Sequence, residues 1–257
     1  MGGKTAVVLG AGSARGLAHI GVLQVLQEKK IDFDFIVGSS MGAMVGSIYA
    51  CGADLYMLAG MADQMDKNVI MDVNIPRLGF IAGKKVSAFL ELLTKRKTFA
   101  ELDFPVYVVA TDLISGQRVV FEEGSVAEAV RASISVPGIF HPVRKEGMVL
   151  VDGAVTDRLP IEVARMKGAS KVIAVDVTFG PGKVVKINNT LDVIATSLDI
   201  LQKQQFDHIQ PQADVLLQPA VGNFASQDFD RCQELVEIGR QTALDHLDEL
   251  RALTAAR

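Results

Sequence analysis

The chain has 257 residues, 49% of them hydrophobic and 22% charged, an ordinary balance for a globular protein with a sizeable core and a deep pocket. Net charge is −4 from 26 basic and 30 acidic residues, with no basic domain suited to nucleic acid and too small an acidic excess for a disordered tail. The two cysteines, Cys51 and Cys232, sit in apolar helical patterns and are expected as buried free thiols, so a disulfide framework or a cysteine-rich metal site has no support.

In chain order, the opening MGGKTAVVLGAG lacks the long apolar core of a secretory leader and carries Ala6 where a myristoylation signal wants Ser or Thr. A cytoplasmic location is the expectation. Ala6 to Leu9 is a short apolar run closed by Gly10 and reads as a buried strand. A glycine-bearing loop and a largely buried helix from about Leu17 to Lys29 follow. Phe33 to Val37 reads as a second strand and Gly42 to Ala50 as a second apolar helix. Phe35 to Ala53 is uncharged and nearly long enough to span a bilayer, but its glycines and serines mark a strand, a tight turn and a helix instead. Strand–helix–strand–helix within some fifty residues marks an α/β fold with a mainly parallel sheet.

Residues 54–104 read as mostly helical. Within them, Lys84 to Lys97 is amphipathic, with cations at its ends. A solvated helix packed over the core is the favoured reading, and a basic, apolar surface resting on lipid is the sharper one. Residues 105–112 and 117–124 read as strands joined by a Ser115-Gly116 turn, and Ser125 to Ala132 as a short helix. Met148 to Val151, Val172 to Val177 and Asp214 to Leu217 are the remaining strands. Phe229 to Leu250 reads as one strongly periodic helix. Gly180-Pro181-Gly182 marks a loop, and residues 1–257 are expected to form a single domain.

Gly38-Ser39-Ser40-Met41-Gly42 matches G-x-S-x-G, with an apolar run before it and an apolar helix after it. A serine at a sharp strand-to-helix turn projects its hydroxyl from a helix N-terminus, and its flanking positions must be tiny. The positive end of the helix favours the negative charge that develops in acyl transfer. A glycine-rich turn that merely packs helix on strand is the plainer alternative.

The loop Gly10-Ala11-Gly12-Ser13-Ala14-Arg15-Gly16 has two readings. A dinucleotide site would need an acid at the end of the second strand, where the chain instead runs into Gly38 and Ser39. An oxyanion loop would aim backbone N–H groups of Gly12, Ser13 and their neighbours at a substrate carbonyl. Arg15 would lock that loop, meet an anionic headgroup, or form a plain surface ion pair. A triad needs a histidine. His19 precedes the serine, His141 lies in a loop, and neither His208 nor His246, which is expected to be solvated, has a distinctive setting. Asp152, closing an apolar strand before Gly153 and Ala154, can be partly desolvated and act as base, or can simply cap a turn.

Taken together, LGAGSARGLAHIGVL (9–23), VGSSMGA (37–43), VYVVATDLISGQRVVF (106–121), RASISVPGIFHPV (131–143) and LVDGAVTDRLP (150–160) resemble the bacterial patatin-like phospholipases. The resemblance implies a three-layer α/β/α fold and hydrolysis of lipid acyl esters by a Ser-Asp dyad, Ser40 and Asp152, without histidine, metal or cofactor. It further implies that Gly10, Ala11, Gly12, Ser13, Arg15, Gly16 and Met41 form the oxyanion and substrate-binding set. Gly38, Gly42, Gly153 and Ala154 complete the motifs. The implied partner is a lipid or other acyl-ester substrate, met by a soluble enzyme at a lipid surface. The family's loop usually carries three glycines where this chain has Ala11, Gly12 and Ser13. That departure motivates an alternative, a weakly active or inactive regulatory or binding protein; acyl transfer to another acceptor is a third reading. The Ser-Asp reading expects all four histidines to be dispensable.

Overall fold

The computed structural model describes residues 3–64, 83–178, 187, 190–209 and 213–255. Its centre is an eight-stranded sheet. The first strand, β1 (Lys4–Leu9), enters through a turn at residues 13–17 into α1 (Ala18–Glu28). Then come β2 (Phe35–Ser39), α2 (Met41–Ala50), α3 (Leu55–Asp63) and α4 (Lys84–Leu93). They are followed by β3 (Val106–Asp112), β4 (Arg118–Phe121), α5 (Val126–Ser133), β5 (Val143–Lys145) and β6 (Met148–Asp152). The chain ends with α6 (Ile161–Met166), β7 (Ala169–Val175), α7 (Thr190–Ile209), β8 (Val215–Leu217), α8 (Cys232–Asp245) and α9 (Leu247–Ala255).

Strand order is β5-β6-β3-β2-β1-β7-β8, with β4 also on β3. The run from β8 to β3 is parallel, whereas β4, β5 and β6 pair antiparallel. Alternation along the buried strands builds both faces at once. Val7, Leu9, Ile36, Ile173 and Val175 join the larger core with α1, α2, α3, α4, α5 and α8. Ala6, Val8, Phe35, Val37, Val172 and Ala174 join a smaller core with α6. The result is three layers, α/β/α.

The edges of β3 decide where the site falls. β2 pairs with residues 106–109 of β3, β6 with residues 110–112, and β4 with residues 108–111. Because β4 overlaps both of the others, it occupies one edge, and β2 and β6 lie end to end along the other. Ser39 therefore sits opposite Val109 and Asp152 opposite the next residue, Ala110.

Several expectations shift. The helix read over residues 229–250 is broken: a 3₁₀ turn at Phe229–Arg231 leads into α8, which stops at His246 before α9 begins. The strand read over 117–124 is only Arg118–Phe121. β5 and α6 are elements the sequence pattern does not show. Val86 and Leu90 of α4 are buried, as in a helix packed over the core. Cys51 and Cys232 are free and buried. The 180–182 turn, and the part of the 54–104 region between residues 65 and 82, lie outside the described residues. Among the described residues, no helix is long and apolar enough to cross a membrane.

Candidate active site

Ser40 stands between β2 and α2 as the N-cap of that helix, at φ 54° and ψ −121°. This backbone region is strained for a residue with a side chain, at about 1–3 kcal/mol. The neighbours leave no other geometry. A Cβ at Gly42 would lie 2.1 Å from the Leu9 carbonyl oxygen, and one at Gly38 would lie 2.5 Å from the Ala43 backbone nitrogen. Glycine at both positions lets α2 press onto the ends of β1 and β2, so the turn is sharp and the serine is lifted out of it.

The hydroxyl of Ser40 donates to Asp152 Oδ2 at 2.6 Å. The other carboxylate oxygen, Oδ1, accepts the Ala154 N–H at 2.8 Å. Ser40 is 7% exposed and Asp152 is 3%. Burial pushes the Asp152 carboxyl up to about 6, against the opposing pull of the Ser40 and Ala154 hydrogen bonds and of the Arg158 charge. The pair meets because Gly153 allows it. A Cβ there would lie 2.3 Å from the Val109 carbonyl oxygen and 2.7 Å from Ser39 Oγ. Gly153→Ala is expected to displace Asp152, destabilise the fold by about 1–3 kcal/mol in urea unfolding, and weaken any ester turnover.

Neighbouring β1 and β2, with Leu9 opposite Gly38, bring the glycine loop beside this turn. A Cβ at Gly16 would strike the Met41 side chain at 2.4 Å. Gly10 N–H donates to the Val175 carbonyl and Ala11 N–H to the Arg158 carbonyl. The backbone N–H groups of Gly12, Ser13 and Met41 have no acceptor among the described residues. The Ser40 N–H is already used, donating to Ser133 Oγ at 2.9 Å, and that hydroxyl donates in turn to the Val109 carbonyl at 2.6 Å. Of the two loop positions that depart from glycine, Ser13 has positive φ, 53°, and Ala11 does not. The strain therefore falls on Ser13.

Ser13, Ser40 and Met41 line one cavity of ≈510 Å³. Its other walls are almost wholly apolar, from Leu17 and Ile20 of the first helical region, Met44 and Ile48 of α2, Val86 and Phe89 of α4, and Phe140 and Phe229. A separate cavity of ≈450 Å³ between α4, α5 and β5 is mixed in charge and does not reach the dyad.

A family description of patatin-like phospholipases matches residues 7–165, more than half of the chain. The chain belongs to the patatin-like phospholipase family. An uncharacterized NTE family protein of Mycobacterium tuberculosis is 35% identical over 195 residues, which cover 74% of this chain and 54% of that protein. Patatin-like phospholipase domain-containing protein 6 of Homo sapiens is 26% identical over an alignment of 273 positions, covering 93% of this chain and 20% of that protein. The chain thus spans about half the length of the mycobacterial relatives, and less of the animal ones. The crystal structure of VipD from Legionella pneumophila shares the fold, with a TM-score of 0.57 at 14% identity, over 96% of this chain and 67% of that one.

Asp152, held by the Ala154 N–H that follows Gly153, stands against Ser40. Ser13 and Met41 face the cavity, and Gly10, Ala11, Gly12 and Gly16 form the loop's base. Arg15 corrects an expectation. It is 5% exposed and lies under the loop, 3.9 Å from Asp199, so neither a surface ion pair nor a headgroup contact describes it. His246 is half-buried, its Nδ1 against the Thr242 carbonyl, instead of solvated. The His208 side chain lies outside the described residues. Ser133 is missed by sequence reading, because a serine inside an apolar helix gives no local sign of its partners.

His19 also has a role its sequence setting hid. Its ring is fully buried on α1, and Nε2 lies 2.7 Å from the Gly10 carbonyl, so Nε2 carries the proton and donates. Burial lowers its pKa to about 4, which keeps the ring neutral. This tether puts the expectation of four dispensable histidines to a test at His19. His19→Ala should cost about tenfold in turnover by freeing the loop's first residue, and His19→Gln, whose amide nitrogen can replace the donor, should restore most of it. Equal losses in both variants would show that the tether does not matter.

Proposed function

We propose that this chain is a carboxylic-ester hydrolase acting on lipid acyl esters, with Ser40 as nucleophile and Asp152 as its base. The observation that carries the reading is the 2.6 Å hydrogen bond from Ser40 Oγ, at the wall of an apolar cavity, to the desolvated carboxylate of Asp152. Asp152 takes the hydroxyl proton as Oγ adds to the ester carbonyl carbon. The N–H groups of Gly12, Ser13 and Met41 receive the negative oxygen, a stabilisation worth about 3 kcal/mol per donor in a preorganised site. Collapse of the tetrahedral species expels the alcohol, which takes the proton from Asp152, and leaves an acyl group on Ser40. A water molecule, deprotonated by the same carboxylate, then releases the acid and restores the pair.

A base near 6 is mostly ionised at neutral pH yet holds a proton well enough to pass it on. The ≈510 Å³ cavity suits one long acyl chain, since a methylene needs roughly a water's ~30 Å³ share. We read residues 1–257 as one acyl-hydrolase domain, cytoplasmic and with peripheral lipid contact through surfaces such as the exposed Lys84 and Lys85 side of α4.

The test is labelling by a fluorophosphonate probe followed by mass mapping, with p-nitrophenyl esters of rising chain length as substrates. Covalent modification at Ser40, and a kcat/KM that rises with pH through about 6, are expected. The positive φ of Ser13 favours a second reading, a poorly active member whose donors are less well aimed. Absence of both labelling and turnover in folded protein would decide for that one.

A further inference from the structure

We infer that α7 is a positioning element for the dyad, acting through Gln202 and Asp199. Both residues lie beyond the 7–165 segment that the family description matches. Gln202 is 8% exposed, and its amide works in two directions. Its Nε2 donates to the Ala154 carbonyl, and its Oε1 accepts from Arg158 Nε. Ala154 is the residue whose N–H orients Asp152, so Gln202 holds the far side of that unit.

Asp199 Oδ1 accepts from Arg158 Nη2 at 2.6 Å, and Oδ2 lies 3.9 Å from Arg15 Nη2 in the glycine loop. Arg158 Nη1 donates to Thr178 Oγ1 at 2.8 Å, and that hydroxyl donates to the Ala11 carbonyl at 2.7 Å. The Arg158 carbonyl accepts the Ala11 N–H at 2.9 Å. One helix face therefore ties the turn that carries the base to the loop that supplies the oxyanion donors. Polar groups this buried fix geometry, because each lost hydrogen bond leaves an unsatisfied partner.

Several described apolar side chains of α7 face outward. Val193, Ile194, Ile200 and Leu201 are 41–62% exposed, while Asp199 and Gln202 face the interior. Among the described side chains of this helix, the inward anchors are polar and bond to Arg158 and Ala154.

The kinetic part of this inference rests on the dyad reading above; the exchange part does not. Gln202→Ala should speed amide hydrogen exchange about tenfold in peptides spanning residues 150–158 and 9–17 and leave the sheet elsewhere unchanged. Turnover should fall about tenfold with KM within twofold of wild type. The acid limb of the pH profile should move upward as Arg158 loosens its hold near Asp152. Gln202→Glu, which still accepts from Arg158 but cannot donate to Ala154, should perturb 150–158 more than 9–17, and it tests the inference should the alanine variant fold poorly. Unchanged exchange in both segments, or a uniform rise across the whole protein, would overturn the positioning role. Local loosening in a protein with no turnover would uphold it and reject the catalytic reading instead.

Discussion

Ser40→Ala is expected to reduce turnover of p-nitrophenyl acyl esters by on the order of 10⁴–10⁶ and to abolish fluorophosphonate labelling. Among the described residues, no other serine near the cavity can replace the hydroxyl. Ser39 Oγ is buried against the Gly153 turn, and Ser133 Oγ is engaged with the Val109 carbonyl. Ser13 also lines the cavity, but among the described residues no hydrogen bond joins it to Asp152 or to any other base. A second substitution separates chemistry from strain. Ser40→Gly should be equally inactive yet more stable than Ser40→Ala by about 1 kcal/mol. Glycine escapes the cost of φ 54° and ψ −121°, and its greater unfolded-state freedom offsets part of the gain. Urea unfolding of the two variants measures that difference. A Ser40→Ala protein that still turns over ester would move the nucleophile elsewhere, and equal stabilities would remove the strain argument.

Sequence made the first half of this site legible because local rules built it. Apolar runs closed by Gly10 and Gly38 mark the ends of β1 and β2, and an apolar helix after Met41 completes the turn. Asp152 was legible as a strand end, but its place beside Ser40 was not. That depends on β2 and β6 sharing one edge of β3, a pairing between segments more than a hundred residues apart. The burial of Arg15 has a similar origin, since Asp199 arrives from α7. Periodicity failed where the element was too short or the break was polar. β5 has only three residues, two half-buried and one exposed, and α6 only six, too few for either period to show. The apolar stripe of residues 229–250 runs on through His246, so the pattern passes unbroken over a helix end. Ser133 and His19 act through hydrogen bonds to backbone groups, two for Ser133 and one for His19, which leave no composition signal.

Asp152→Asn should cut turnover by about 10³ or more while making the folded protein more stable above pH 6. The asparagine can still accept the Ala154 N–H, but it cannot take a proton from Ser40. The stability effect follows from the carboxyl's displacement from an ordinary 3.8 to about 6. Between those values the folded chain binds more protons than the unfolded one, so wild-type stability falls as pH rises through this window. Below 3.8 the carboxyl is protonated in both states and burial carries no charge penalty. Above about 6 the penalty is complete, at about 3 kcal/mol. The charge-assisted bonds to Ser40 and Ala154 are already counted in that figure, since they oppose the upward shift. A gain of about 3 kcal/mol in a chain this size is a rise in Tm of about 6–12 °C at pH 7.5, shrinking toward zero at pH 4. Thermal unfolding at the two pH values reads it directly. An asparagine variant that is inactive but no more stable at pH 7.5 than at pH 4, relative to wild type, would mean that the carboxylate is already well solvated, and a solvated Asp152 would be too weak a base for the role assigned to it.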